Sequence, residues 1–317
     1  MENEHIQHKA IVTENKLIAD GIYEVALACG ALAASASPGQ FVMVSIHEGI
    51  DLFLRRPLSL AGINREAGIC RLIFQVVGKG TEIMRAWEAG REVDILGPLG
   101  HGFAWPESIG KAILVGGGLG IAPLLPLAEA LRGQGKEVHV FLGAKSINQI
   151  FGLQAFAAWG CQIQVATEDG SDGVEGFVTL PLETHLQQCF GAAQAVAPDA
   201  AQATTQDAAQ AVAQDAAQAA TQDAAQDAAQ DAAQDAALAG TALFACGPAP
   251  FLRVVAGLCE TYQVEGQLSL EERMGCGFGV CMGCSIETRP DGKGQSVRKR
   301  VCKDGPVFSA KEVVFHG

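Results

Sequence analysis

The apolar residues change their pattern twice along the chain. Up to residue 105 they come in short runs, IYEVALAC (22–29), QFVMVSI (40–46) and CRLIFQVV (70–77), bounded by Gly, Pro and Asn. Short runs rich in β-branched and aromatic side chains read as strands. Several at this spacing predict a small antiparallel β-barrel over residues 1–105. One helix is expected there, from Thr81 to Glu88, opened by the turn Gly78-Lys79-Gly80.

From Gly110 the runs become continuously apolar and alternate with helical spacing. KAILVGG (111–117), EVHVFLGA (137–144), CQIQVATEDG (161–170) and GTALFACGP (240–248) read as buried strands. APLLPLAEALRGQG (122–135) and APFLRVVAGLCETY (249–262) read as helices between or after them. That order predicts a doubly wound parallel sheet over residues 106–262. The uncharged stretch from Ala112 to Ala128 is broken by glycines and two prolines, so it reads as strand, turn and helix rather than a membrane span. Residues 263–317 form a third, small part rich in Gly and Cys, ending in the short strand signal VFSAKEVVF.

One stretch fits none of this. QDAA recurs from Gln206 to Ala237 with no large apolar residue to anchor either face. The tract at about 190–239 reads as a solvated insert without a catalytic role, across which the flanking strands close as if it were absent.

Composition narrows the picture. With 317 residues, 49% of them hydrophobic, the chain can bury sizeable cores. The net charge of −13 argues against non-specific nucleic-acid binding, although seven Asp and no Lys or Arg lie between Gln188 and Gly240. The polar start MENEHIQHKA has no apolar leader core. Six of the ten cysteines are scattered and four lie within 27 residues. This suggests a cytoplasmic chain with reduced thiols and one metal site.

Those four, Cys276, Cys281, Cys284 and Cys302, are spaced C-x4-C-x2-C-x17-C. Four thiolates suit iron–sulfur or zinc. Structural zinc sites usually offer two separated C-x2-C knuckles. Three cysteines in one loop and a distant fourth is the plant-type [2Fe–2S] arrangement. Gly275, Gly277, Gly279 and Gly283 free the backbone to wrap the sulfurs and aim N–H groups at them. Zinc and merely reactive thiols are the competing readings.

Two further segments carry candidate chemistry. In Leu54-Arg55-Arg56-Pro57-Leu58-Ser59, an Arg beside a barrel strand can clamp a pyrophosphate and the Ser can reach a flavin ring. A surface arginine pair before a turn is the plain alternative. In Gly78-Lys79-Gly80-Thr81 a glycine turn opens a helix that could receive phosphate, or is simply capped. Val115-Gly116-Gly117-Gly118-Leu119-Gly120-Ile121-Ala122-Pro123 joins a buried strand to a helix, so Gly117, Gly118 and Gly120 are candidates to meet a dinucleotide. Cys246-Gly247-Pro248 follows the last strand and could bring Cys246 against a nicotinamide ring. Glu168-Asp169-Gly170 is a further candidate contact, or an acidic turn. No Ser/His/Asp or paired-carboxylate signature stands out, so no catalytic residue is named.

Taken in order, R-P-L-S, G-G-G-L-G-I-A-P, C-G-P and the four cysteines resemble the ferredoxin–NADP reductase superfamily. The segments ERMGCGFGVCMGC (272–284) and VCKDGPVF (301–308) resemble, more narrowly, the electron-transfer subunits of type B dihydroorotate dehydrogenase. The resemblance implies that Arg56, Pro57, Leu58, Ser59, Ile73, Phe74, Gln75, Gly80 and Thr81 bind FAD. Phe74-Gln75 stands where the family often has Tyr-Arg, which leaves only the backbone contact of Gln75 implied. It also implies that the four cysteines hold a [2Fe–2S] cluster and that NAD is the acceptor, with NADP left open. A relay follows from it. Dihydroorotate is oxidised at FMN in a partner subunit, electrons cross singly through the cluster to FAD, and they leave as hydride to NAD⁺, within pyrimidine (UMP) biosynthesis. No part of the chain is left to bind orotate, so an FMN-containing catalytic subunit is the expected partner, in a heterotetramer of two of each. Arg298, Lys299, Arg300 and Lys303 could help dock it, or form a solvated basic loop. A stand-alone or ferredoxin-coupled NAD(P)H reductase and a non-enzymatic redox sensor are the competing functions.

Overall fold

A computed structural model describes residues 6–46, 52–191, 240–289 and 296–315. Six antiparallel strands close the expected barrel: β1 (Gln7–Ala19), β2 (Ile22–Ala28), β3 (Phe41–Val44), β4 (Arg56–Asn64), β5 (Ile69–Gln75) and β6 (Glu92–Leu99), in the order β1-β2-β5-β4-β3-β6. Closure leaves no open edge. The interior holds Val25, Leu27, Val42, Val44, Leu60, Leu72, Phe74 and Ile95. The apolar runs at 22–29, 40–46 and 70–77 are three of these strands. β1 and β6 escaped because their inward residues are few: Ala10 and Val12 in one, Val93 and Ile95 in the other. The arginine motif begins β4.

The expected parallel sheet follows. Its strands are β7 (Lys111–Gly117), β8 (Glu137–Ala144), β9 (Gln162–Thr167), β10 (Val174–Glu175), β11 (Thr241–Cys246), β12 (Glu265–Ser269) and β15 (Val307–Ser309), in the order β10-β9-β8-β7-β11-β12-β15. All pair in parallel except β15, which runs antiparallel to β12. The central strands read as unbroken apolar runs because both faces are covered. In β7, Ile113 and Val115 pack on one side with Leu243, Leu252 and Val255, while Ala112 and Leu114 pack on the other with Leu124, Leu127 and Phe244. Each fully buried aliphatic side chain there contributes about 1.5–3 kcal/mol.

The sheet extends past the boundary expected at residue 262, since β12 and β15 come from the Gly/Cys-rich part. The rest of that part forms a hairpin of β13 (Ser285–Thr288) and β14 (Val297–Arg300), the cysteine loop before it and the one-turn helix Val301–Asp304 that carries Cys302. The helix after β7 starts with a 3₁₀ turn, Gly118–Ile121, and is α-helical over Leu124–Gly133, with Pro123 just ahead of it. The helix expected at 81–88 runs over Lys79–Arg85, because the Thr81 hydroxyl accepts the Val77 and Gly78 N–H groups from inside the first turn. Residues 192–239, which include nearly all of the QDAA tract, lie outside the described residues.

The barrel packs on the sheet through Ile22, Ala61, Ile73 and Phe103. Going outward from β7, β8, β9 and β10 lie on one side and β11 and β12 on the other. The strand order therefore reverses between β7 and β11, and ligands of such sheets bind beyond the strand C-termini at that point. No helix among the described residues is long and apolar enough to cross a membrane.

Candidate functional site

Three clefts open around Glu271, two of them between barrel and sheet and the third between the sheet and the C-terminal part. The first, of about 790 Å³, is lined by Arg56, Pro57, Leu58, Ser59 and Ile73 from the barrel, Leu119 and Ala122 from the glycine turn, and Glu271 to Met274. Both adjacent arginines border this cleft, but their guanidinium groups have separate partners. Arg55 turns to the barrel, where its guanidinium lies 2.7 Å from Asp94 Oδ1 and donates to the Asp94 carbonyl at 3.0 Å. The carboxylate contact is short but poorly aligned, so it acts as an ion pair and leaves Oδ1 without a well-formed hydrogen bond. Burial pushes the Asp94 carboxyl up, but Arg55 and Gln7, with the charge of Lys9, outweigh it and hold the group below its ordinary range. Arg56 faces the cleft and donates to the Leu54 carbonyl. A Cβ on Gly80 would lie 3.1 Å from Arg56 Nε, so the R-P-L-S strand and the Gly-Lys-Gly-Thr turn form one cradle in which glycine leaves room for the guanidinium. The Thr81 hydroxyl is spent on its own turn, donating to Gly78 O at 3.0 Å, which leaves its backbone as the free contact.

Strand pleating separates the β5 candidates. Ile73 and Gln75 face outward, each to a cleft, whereas Phe74 is 1% exposed and stacks on Tyr23 at 5.9 Å inside the barrel. Phe74 can therefore offer a ligand only its backbone.

The second cleft, of about 630 Å³, lies at the switch point. It is lined by Gln75, Gln149, Gly117, Gly118, Leu119 and Gly120, by Ala144, Lys145 and Glu168 farther out, by Phe177 to Thr179, and by Pro248, Phe251 and Glu271. A Cβ at Gly120 would come within 2.0 Å of the Cys246 carbonyl oxygen. The glycine turn and the Cys-Gly-Pro turn thus touch backbone to backbone. Gly118 has φ +57, which favours glycine for a second reason. Cys246 itself is 2% exposed and sits behind the cleft wall against Ser269. Burial raises its thiol far above the ordinary range, so it is an uncharged packing group. Pro248, not Cys246, lines the cleft from that turn.

The cysteine loop follows directly from the first cleft. The four cysteines fall into two pairs: the Cys281 N–H reaches Cys276 Sγ, and the Cys302 N–H reaches Cys284 Sγ. Two pairs suit a centre of two irons, and that donor set fits [2Fe–2S]. The backbone fits it as well. Cys276 Sγ accepts the Val280 and Cys281 N–H groups at 3.3 and 3.5 Å, and Cys284 Sγ accepts Cys302 N–H at 3.4 Å. Burial pushes the Cys276 thiol up, yet the N–H groups of Cys281, Phe278 and Val280 prevail and bring it to about 6, so it is ready to bind as thiolate. Burial, then the neighbouring Cys284, push Cys302 up to about 12. Gly277 and Gly279, at φ +83 and +86, lie against Met43 and Lys303 with no space for a Cβ.

The basic residues around Cys302 are mostly engaged. Arg300 pairs with Asp304 at 3.0 Å and donates to Gly279 O at 3.1 Å, and Lys299 pairs with Glu312 at 2.7 Å. Arg298 lines a third cleft of about 640 Å³, with Arg253, Ser285 and Glu271. Glu271 borders all three clefts, and burial raises its carboxyl. Its position is not visible in the sequence, because β12, which ends two residues before it at Ser269, is too short to stand out. Lys145, Gln149 and Phe177 were missed likewise, as loop residues brought together only by parallel strand ends.

Residues 271–314 match the family described as the iron-sulfur cluster binding domain of dihydroorotate dehydrogenase B. The chain is 35% identical over 312 residues to the dihydroorotate dehydrogenase B (NAD(+)) electron transfer subunit of Geobacillus thermodenitrificans, covering 98% of this chain and 99% of that one. It is 33% identical over 307 residues to the subunit of the same name from Bacillus cereus, covering 96% and 97%. Among solved structures it is similar to an NADH-dependent reduced ferredoxin-NADP oxidoreductase of flavin-based electron bifurcation. The TM-score is 0.70 at 25% identity, over 96% of this chain and 90% of that one. Phthalate dioxygenase reductase shares the fold, with a TM-score of 0.55 at 14% identity over 94% and 77%.

Proposed function

The chain belongs to the family of dihydroorotate dehydrogenase B (NAD(+)) electron transfer subunits, and on that premise we propose that it carries electrons from an FMN-containing catalytic subunit, through a [2Fe–2S] centre and FAD, to NAD⁺. The overall reaction is oxidation of dihydroorotate to orotate with formation of NADH, in pyrimidine biosynthesis in the cytoplasm. One observation carries the reading. The segment Glu271–Met274 walls the first cleft, its Glu271 also borders the glycine cleft, and two residues beyond Met274 it supplies Cys276. The three stations of a relay are thus neighbours on one stretch of backbone.

In this reading Arg56 binds the FAD pyrophosphate beside Gly80 and the Thr81 backbone, and Pro57, Leu58 and Ser59 line the flavin's bed with Ile73. The backbone of Phe74 and Gln75 completes it. Gly117, Gly118 and Gly120 take the dinucleotide, and Cys246 acts through its carbonyl, which holds the Gly120 turn. Bound FAD supplies the exchange between the single electrons of iron and the hydride of nicotinamide. The cysteines act as two pairs, Cys276 with Cys281 and Cys284 with Cys302, and N–H groups directed at Cys276 and Cys284 stabilise the anionic sulfurs. Residues 1–105, 106–262 and 263–317 are the flavin, nucleotide and cluster parts, the last lending β12 and β15 to the sheet. Every described strand belongs to the barrel, the sheet or the hairpin, so pyrimidine oxidation falls to the partner, in a heterotetramer of two of each.

The test is dihydroorotate-dependent NAD⁺ reduction by the purified chain, with and without its FMN partner. Activity is expected only for the pair, with FAD and iron in the chain. A pair that holds both cofactors yet never reduces NAD⁺ with dihydroorotate would leave the stand-alone reductase reading instead. Cys302→Ser should bleach the cluster absorbance while FAD stays bound. Loss of both together would mean that Cys302 supports the fold rather than a separate centre.

A further inference from the structure

The glycine cleft has two unlike ends. Gln75 and Glu271 stand at the end beside the barrel, with Gln149 next to them, since the Asn148 carbonyl accepts the Asp20 N–H of the barrel turn at 2.8 Å; Lys145, Glu168 and Phe177 stand beyond the ends of β8, β9 and β10. With the nicotinamide turned to the flavin part, the adenosine half must run outward across the ends of β8 and β9. β9 lies two strands from β7, about 10 Å away at ordinary strand spacing, which is within reach of that half. We propose that Glu168 decides the choice of dinucleotide: its carboxylate takes the adenosine ribose hydroxyls and turns away a 2′-phosphate, while the ring of Phe177 receives the adenine. This rests on reading the cleft as the nicotinamide dinucleotide site.

The outer rim is built to hold Glu168 in place. Its N–H donates to Ala144 O at 3.1 Å, and the next N–H, of Asp169, donates to Lys145 O at 3.1 Å. The fully buried Thr167 pins the loop that follows. Its hydroxyl donates to Asp172 O at 2.7 Å and accepts Asp172 N–H at 3.1 Å, and its carbonyl accepts Gly176 N–H at 2.9 Å. A Cβ on Gly173 would meet Val165 O at 2.0 Å, so the loop lies flat on the strand. Preorganised backbone of this kind gives a carboxylate a fixed aim.

The charge at the rim is one-sided. Glu168, Asp169, Asp172 and Glu175 stand within eight residues, all exposed, against the single cation Lys145. Hydrogen bonds from Ser171 hold Asp169 below the ordinary carboxylate range. Among the described residues Glu168 has no ion-pair partner, so its oxygens are free to accept from a diol. A 2′-phosphate would bring nearly two further negative charges into this field. Lys145 alone could hold such a phosphate, which makes the charge at residue 168 the deciding one. Phe177 is 66% exposed, while its neighbour Val178 is buried beneath Gly143. An exposed ring on a fixed rim suits a stacked base.

The experiment titrates ADP-ribose and its 2′-phosphate into the full chain with its cofactors, by calorimetry, alongside kcat/KM for NAD⁺ and NADP⁺ in the complex. Wild type should favour the unphosphorylated ligand by about 100-fold or more, and Glu168→Gln should narrow that ratio by about 10-fold, the equivalent of 1.4 kcal/mol. Phe177→Ala should weaken both ligands alike and leave the ratio unchanged. An unaltered ratio in Glu168→Gln, with both ligands still measurable, would overturn this assignment alone. Wild type that binds neither ligand would remove the dinucleotide reading of the cleft, and this inference with it.

Discussion

Gly120 marks the tightest point of the site. A methyl there would stand 2.0 Å from Cys246 O and 2.3 Å from its carbonyl carbon, and both are backbone atoms that cannot swing aside. Gly118 differs, since its Cβ would meet nothing within 4 Å and only its φ of +57 resists substitution. Gly120→Ala should therefore cost about 2–3 kcal/mol, as overpacking does. Gly118→Ala should cost only about 1 kcal/mol, as left-handed backbone does. Thermal melts of the two variants check this, together with NADH binding, which Gly120→Ala should impair most. Equal losses would mean that the two turns are not in contact. The glycines were legible as a nucleotide turn, but their separate reasons were not, because the carbonyl that excludes a side chain at Gly120 comes from the strand after the insert.

At the scale of elements, the barrel is tied across its closure by Arg55 and Asp94, which join the segment before β4 to β6. Both are about one-quarter exposed. The sign of the pH effect follows from the lowered Asp94 pKa. The stabilisation is fully present above the ordinary carboxylate pKa of about 3.9 and is lost as pH falls through the lower folded value. Arg55→Ala should lower the Tm by about 3 °C at pH 7, for a loss of about 1 kcal/mol. The gap to wild type should close progressively below about pH 4. A gap independent of pH would show that the arginine acts through packing alone. The sequence offered two adjacent arginines without saying which served the fold. Asp94 of the neighbouring β6 and Gly80 of the turn after β5 made that division.

At the scale of the whole molecule, the two ends of the insert meet at one residue. Lys111 Nζ lies 3.5 Å from Cys189 Sγ, two residues before Gly191, and the Lys111 N–H donates to Gly240 O at 3.0 Å. Replacing residues 192–239 by a short glycine linker should leave FAD and iron contents, and turnover with the partner, at the wild-type level. The variant would also be less acidic, having lost the Asp-rich stretch. Loss of either cofactor would give the tract a structural part in the sheet that no described contact requires. The pair β11 and β12 shows why the expected end of the nucleotide part fell short of the sheet. Residues Glu265 to Ser269 hold a single large apolar side chain, Leu268, and no β-branched residue, and it is pairing with β11 and β15 that makes them strand.

By itself the sequence determined what depends on residues close together in the chain. The buried strands of the sheet, the barrel class, the glycine turns and the spacing of the four cysteines are of this kind, since burial on both faces and thiolate chemistry leave local marks. Tertiary structure alone decided what depends on residues brought together from afar. It put Phe74 inside the barrel and Arg56 against Gly80, withdrew Cys246 behind the cleft wall, and sorted the cysteines into two pairs. It also brought Glu168 and Phe177 to the outer rim and Glu271 to the meeting point of three clefts. Those positions follow from the closing of a barrel and the order of parallel strands, and neither the partner strand nor the facing turn is encoded next to the residue it positions.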